Sequence, residues 1–387
     1  MPSRLVLAAA FFLAAVSGAA AREPGPFYTA SAAETAGAPG TLIRQEPIRG
    51  APAGASAYRV LYRSTGLKGE PILVSGVVVV PASPAPAGGR PVLAWAHPTS
   101  GIVPPCAPSL ANGLFNQIQG LDLFLAKGYV VAATDYPGLG TSEPHPYLVG
   151  VSEGRAVLDI ARAAREMPYA LASPKVALWG HSQGGQAVLY AADLAQRYAP
   201  DLDIVGVAAA APATELGTLM RDDIATSGGK NLLAMTLWSW ARVFGAPIAD
   251  VVTADAMPVV DRLAGVCLES IIDIEPRLKA GAELQKQFLK VGDITALEPW
   301  KRLMDENTVG TLPPAIPVFL AQGLKDKTVD PPVTFAYAKR LCAAGSRVAV
   351  MKLPDAGHAF VARDSAREAA AWIADRFAGA PAPSTCP

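Results

Sequence analysis

From Val92 onward, short unbroken apolar runs alternate with helical stretches, and no other feature constrains the fold as strongly. The runs are Val92 to Ala96, Tyr129 to Thr134, Val176 to Trp179, Ile204 to Ala210, Val318 to Ala321 and Val348 to Leu353. A strand that is apolar at every position must be covered on both faces. A mostly parallel sheet flanked by helices meets that condition. Helices are expected over Ser152 to Arg165, Gln183 to Gln196, Pro332 to Leu341 and Ala366 to Phe377. Two earlier segments, Tyr58 to Tyr62 and Ile72 to Val80, are rich in β-branched and aromatic residues and read as strands. The fold class expected is therefore α/β, with a mostly parallel central sheet.

One interval breaks the alternation. Residues 213–311 contain no clear core strand and look helical and amphipathic. They fall between two sheet strands, so they read as an inserted, mainly helical cap. Leu233, Leu237, Trp240 and Phe244 recur at spacings that place them on one helical face. With Trp238 they are candidates for an acyl-binding wall or a lid face that meets lipid, although packing within the cap explains the same pattern. The chain then divides into a leader at 1–21, an irregular N-terminal arm at 22–57, core segments at 58–212 and 312–380 around the cap at 213–311, and a tail at 381–387.

The leader is read from Arg4, the apolar run Leu5 to Val16 and the small residues Ser17 to Ala21, with cleavage expected near Ala21. The apolar run is short for a membrane span, so the mature chain is expected to be exported to the periplasm or beyond. Oligomeric state is not legible. Lys and Arg number 33, as do Asp and Glu, and no basic stripe is evident. That argues against a nucleic-acid partner held by its phosphates. Four cysteines remain: Cys106, Cys267, Cys342 and Cys386. In an exported protein they suggest two disulfides, with three possible connectivities. No Cys/His cluster has metal-ligand spacing, so no metal is expected.

The chemistry turns on a choice between two serines. Gly180-His181-Ser182-Gln183-Gly184 and Gly150-Val151-Ser152-Glu153-Gly154 both match G-x-S-x-G. Only Ser182 lies between an apolar strand and a good helix, the setting a nucleophile elbow needs. Gly180, Gly184, Gly185 and Ala187 supply the small neighbours that such a turn requires. Ser152 follows a proline-containing loop and reads as the N-cap of its helix. A serine needs a base to take its proton and a third group to orient that base. Of His97, His145, His181 and His358, only His358 lies in a loop after the last strand. The acid is expected after the preceding strand. Asp326 is favoured, with Asp330 as the alternative, because Asp330 precedes Pro331 and could cap the next helix. Asp355 reads as a turn residue. The oxyanion donors expected are the backbone N–H of Gln183 and, after Pro98 with no N–H, that of Thr99.

Taken together, the segments Trp95 to Gly101, Cys106 to Ser109, Asp135 to Thr141, His145 to Gly150, Gly180 to Gly185 and Gly323 to Val329 resemble the secretory lipase family. The resemblance spans about Tyr58 to Phe377. It implies an α/β-hydrolase fold with a mostly helical cap, no cofactor, and cleavage of carboxylic esters, often acylglycerols. It also implies the pairing Cys106–Cys267, which leaves Cys342–Cys386. Relatives with His-Gly after the strand have glycine where this chain has Pro98. The expectation is thus a secreted lipase using Ser182, Asp326 and His358. A short-chain carboxylesterase or a plant-cell-wall or polymer esterase is the alternative, with a peptidase or acyltransferase further off. The expected partner is a small-molecule or lipid ester, with transient contact at a lipid interface.

Overall fold

A computed structural model describes residues 23–142, 144–268 and 274–387, so the expected leader at 1–21 lies outside the described residues. Nine strands form one sheet: β1 (Leu42–Ile48), β2 (Ala55–Thr65), β3 (Pro71–Pro81), β4 (Arg90–Ala96), β5 (Val130–Thr134), β6 (Ala172–His181), β7 (Asp203–Ala210), β8 (Val318–Gly323) and β9 (Val348–Leu353). Their order is β1-β2-β3-β5-β4-β6-β7-β8-β9. The first three pair antiparallel, β3 meets β5 antiparallel, and β5-β4-β6-β7-β8-β9 is parallel throughout.

The parallel strands explain their own composition. Along β4, Leu93 and Trp95 enter one buried cluster while Val92, Ala94 and Ala96 enter the other. β5 and β6 divide in the same way, with Val131, Ala133, Ala177 and Trp179 on one face and Val130, Ala132, Val176 and Leu178 on the opposite one. Neither face meets water, so nearly every central position is apolar, and the buried polar residues Thr134 and Gln322 are hydrogen-bonded.

Counting only helices of seven or more residues, the chain adds α1 (Gly150–Arg165), α2 (Gln183–Tyr198), α3 (Leu216–Asp223), α4 (Ser227–Phe244), α5 (Met257–Ala264), α6 (Ile274–Lys286), α7 (Trp300–Glu306), α8 (Pro331–Ala343) and α9 (Val361–Phe377). Helices α3 to α7 lie between β7 and β8, where the cap is expected. Leu233, Leu237 and Trp240 of α4 pack in the same buried cluster as Val260 of α5 and Leu284 of α6. The two disulfides are Cys106–Cys267 and Cys342–Cys386. The first joins the loop after β4 to the chain after α5, which ties the inserted helices to the sheet.

Two local expectations need correction. The arm at 22–57 is not irregular throughout, because β1 and the start of β2 fall within it. β1 is an edge strand with alternating partial exposure and a proline, Pro47, so its apolar signal is weak. Ser152 is not an N-cap: it lies buried inside α1, and Val149 holds the cap position. The first free amide of that helix is satisfied from far away, as the Gly150 N–H donates to Asn307 Oδ1 at 3.1 Å. No local pattern announces such a cap. The tail at 381–387 is held to the sheet: the Thr385 N–H donates to the Val348 carbonyl at 2.7 Å beside β9, and Cys386 is bonded to Cys342.

Candidate active site

Strand order places the site. The chain runs from β4 to β5 on one side of it and then from β5 across to β6 on the other, and at such a reversal the carboxyl ends of the strands open a crevice. Ala96 of β4 is level with Gly180 of β6, His181 with Ala210 of β7, and Ala210 with Ala321 of β8. Thr99, Ser182, Asp326 and His358 all follow strand ends on this one edge.

Ser182 is the single residue between β6 and α2, with φ 57° and ψ −117°. A residue with a side chain holds such a conformation at a cost of about 1–3 kcal/mol, and only when its surroundings fix it. The glycines around it are required by close approach. A Cβ on Gly180 would lie 2.2 Å from the Gly184 carbonyl oxygen, and one on Gly184 would lie 2.0 Å from that of Ala96. The turn can be this tight only because these positions lack side chains.

The His358 ring lies between the other two groups. Its Nε2 is 2.8 Å from Ser182 Oγ, and its Nδ1 is 2.8 Å from Asp326 Oδ2. Asp326 is buried, and its Oδ1 accepts the Thr328 and Val329 N–H groups at 2.9 Å each. Burial raises this carboxyl, but the hydrogen bond and charge of His358 and the two amides outweigh it and hold it below the usual carboxylate range. It is therefore an anion beside the imidazole at neutral pH. Asp330 is exposed at the cap position of α8 and makes no side-chain cap bond. Asp355 is exposed and pairs with Lys325.

The other histidines are engaged elsewhere. His181 is buried, its Nε2 donates to the His358 carbonyl at 3.0 Å, and burial, reinforced by His358, lowers it to about 3. It stays neutral and supports the backbone of His358. Burial likewise lowers His97 to about 4 and His145 to about 3.

A cavity of about 580 Å³ opens beside Ser182 and His358. Thr99 and Gln183 line it at the serine, while Leu216, Leu219, Met220 and Leu232 from α3 and α4 form an apolar wall. Thr99 Oγ1 and Tyr147 OH are hydrogen-bonded at 2.9 Å. A larger open hollow of about 1120 Å³, near Gly50, Asn112 and Arg363, holds none of Ser182, Asp326 and His358.

The expected acyl wall is not where the cavity is. Trp240 is buried and donates its indole N–H to the Tyr147 carbonyl at 2.9 Å. Trp238 donates to Asp261, with the Arg242 guanidinium 3.4 Å from its ring centre, and Phe244 packs edge-on to Trp240. None of the three lines the cavity. The α4 stripe packs the cap, and the wall comes from α3 and from Leu232, one step round α4.

Three partners of the site were not legible. Gln322, at the end of β8, donates to Asp326 Oδ2 at 3.3 Å and to the Val329 carbonyl at 3.0 Å. Its place as the one polar residue in Phe319-Leu320-Ala321-Gln322 was the available signal. Glu153 and Tyr147 contact Gln183 and Thr99 from a distant part of the sequence, and their only mark was a motif match set aside and a tyrosine between Pro146 and Leu148. Among the described residues no cluster of His, Cys, Asp and Glu could hold a metal ion, and no helix is long and apolar enough to cross a membrane.

Comparison with known proteins agrees with this architecture. A probable inactive lipase of Mycobacterium tuberculosis is 28% identical over 376 residues, 92% of this chain and 82% of that protein. Lipase A of Arthroderma benhamiae is 26% identical over 382 residues, 92% of this chain and 79% of its own length. The crystal structure of Candida antarctica lipase A matches with a TM-score of 0.79 at 22% identity, covering 94% of this chain and 88% of that one. The secretory lipase family model matches residues 111–385. With the sheet, the inserted helices and this match, the chain belongs to the secretory lipase family, carboxylic ester hydrolases of the α/β-hydrolase fold.

Proposed function

We propose that the protein is an exported serine lipase that cleaves acyl esters through an acyl-enzyme. The observation that carries this reading is the unbroken chain from Ser182 Oγ through the His358 ring to Asp326, with both links at 2.8 Å. Ser182 Oγ attacks the ester carbonyl carbon while His358 Nε2 takes its proton. Asp326 holds the Nδ1–H and stabilises the imidazolium. The negative oxygen of the tetrahedral intermediate is received by the N–H groups of Gln183 and Thr99. The alcohol leaves with the proton from His358, and water then hydrolyses the acyl-Ser182 ester by the same steps.

Lipid as the substrate is supported by the apolar cavity wall and by its rim. Leu268, Ile274 and Leu278 line the cavity and are 39%, 44% and 60% exposed. Exposed large apolar groups clustered at a cavity mouth suit transient contact with a lipid interface. A second reading, a short-chain or polymer esterase, is favoured by Asp223, Asn231 and Arg277, which bring polar groups to the same cavity. Hydrolysis of p-nitrophenyl esters from acetate to palmitate, with Ser182→Ala in parallel, separates the readings. Activity that persists to palmitate and vanishes in the variant supports the lipase. Collapse beyond butyrate favours the second reading, and activity retained by Ser182→Ala refutes the mechanism. Removal of the leader near Ala21 is tested by N-terminal sequencing of the exported chain.

A further inference from the structure

The second G-x-S-x-G match, Gly150 to Gly154, lies on α1, which packs against α2. A Cβ on Gly150 would lie 2.1 Å from Tyr190 Cδ2, and one on Gly154 would lie 2.9 Å from the Ala191 nitrogen. The two glycines therefore let the helices come close enough for a side chain on α1 to reach the first residue of α2. That side chain is Glu153, which is wholly buried.

Glu153 Oε1 accepts the Gln183 side-chain amide at 2.8 Å and the Leu148 N–H at 2.9 Å. The Gln183 amide also lies 3.2 Å from His145 Nε2. His145 Nδ1 donates to the Pro137 carbonyl at 2.7 Å, which leaves its Nε2 as an acceptor. Both side-chain hydrogens of Gln183 are thus engaged. The loop that supplies these partners is held in turn by Ser239 of α4, whose hydroxyl donates to the His145 carbonyl at 2.6 Å.

We infer that Glu153 is a positioning residue for the oxyanion hole, fixing the Gln183 N–H through the Gln183 side chain. The inference rests on the reading of that amide as an oxyanion donor. Oxyanion stabilisation depends on donors already aimed where charge develops, and an amide free to turn loses that alignment. The site also needs Glu153 uncharged, since a buried anion behind the donor would oppose the developing negative oxygen. Burial pushes Glu153 up to about 8, against the hydrogen bonds from Gln183 and Leu148. The titratable groups around it are neutral at that pH: burial raises Tyr136, Tyr147 and Tyr190 far above the usual tyrosine value and lowers His145 to about 3.

The test uses the full exported chain with p-nitrophenyl butyrate at pH 7. Glu153→Leu and Gln183→Met are each expected to lower kcat about 10-fold. KM should stay within about 2-fold of the parent, since the loss falls on the transition state alone. The double variant should be no slower than either single one, because both break one link. Glu153→Gln keeps a neutral acceptor of the same shape and should restore kcat to within about 2-fold of the parent. Parent-like kcat in Gln183→Met overturns the inference, even if Glu153→Leu fails to fold. Losses that multiply in the double variant, or a Glu153→Gln enzyme as slow as Glu153→Leu, overturn it as well. Ser182→Ala separates the two levels. If that variant stays active, the underlying mechanism fails; if it is inactive while Gln183→Met is unaffected, only the role of Glu153 falls.

Discussion

Ser182, His358 and Asp326 meet from three loops that lie far apart in the sequence, and each is held by something other than its partner. The glycines around Ser182 fix its backbone, the His181 ring supports the His358 carbonyl, and two amides with Gln322 hold Asp326. Asp326 and Asp330 are separated by environment: one is buried against the imidazole and the other faces water. Asp326→Asn is therefore predicted to lower kcat by about 10²–10⁴-fold, because the amide favours the wrong imidazole tautomer. Asp330→Asn should leave it nearly unchanged. Steady-state kinetics of the two variants decides between them, and the reverse ranking would reassign the acid. The strand–turn–helix context of Ser182 and the loop position of His358 were visible as sequence. The supports were not, because Gln322, Glu153 and Tyr147 reach the site through packing that no local pattern records.

The elements follow the physics of their two faces. Strands buried on both sides are unbroken apolar runs, and these were legible. β1, at the sheet edge and interrupted by Pro47, carries a mixed pattern and was hidden in a segment rich in proline and glycine. The start of α1 was misread for a related reason, since its cap comes from Asn307, more than a hundred residues away. The close contact of α1 and α2 has a consequence for stability. Glu153 has an ordinary value of 4.5 and is pushed up to about 8 in the folded chain. The folded state therefore holds this proton more tightly, and the contribution of Glu153 to stability falls as pH rises from about 4.5 to about 8. Glu153→Gln lacks this penalty. Urea midpoints at pH 5, 7 and 9 should show the variant gaining on the wild type at each step up to about pH 8. A difference that does not change with pH would mean that Glu153 is not buried as an acid.

The inserted helices and the sheet share one cavity, and the Cys106–Cys267 bond joins them. The insertion itself was legible, as a long helical interval in an alternating pattern. Its binding face was not, because α4 carries a conspicuous stripe of Trp240 and leucines that serves the cap interior, while Leu232 faces the cavity. An amphipathic pattern gives the buried side of a helix but not which partner buries it. The exposed rim yields a separate prediction. Leu278→Glu should lower hydrolysis of emulsified triacylglycerol several-fold while leaving soluble p-nitrophenyl acetate within about 2-fold of wild type, since it adds a charge at the surface without touching Ser182. Equal losses on both substrates would count against a lipid-facing role.

Covalent trapping tests directly whether Ser182, and not Ser152, is the nucleophile. A p-nitrophenyl alkylphosphonate presented to the full exported chain should add one phosphonyl group, and peptide mapping should place it on the Gly180-His181-Ser182-Gln183-Gly184 segment. Activity should be lost in proportion to labelling. A label on any other residue, or full activity with Ser182 occupied, would rule out Ser182 as the nucleophile.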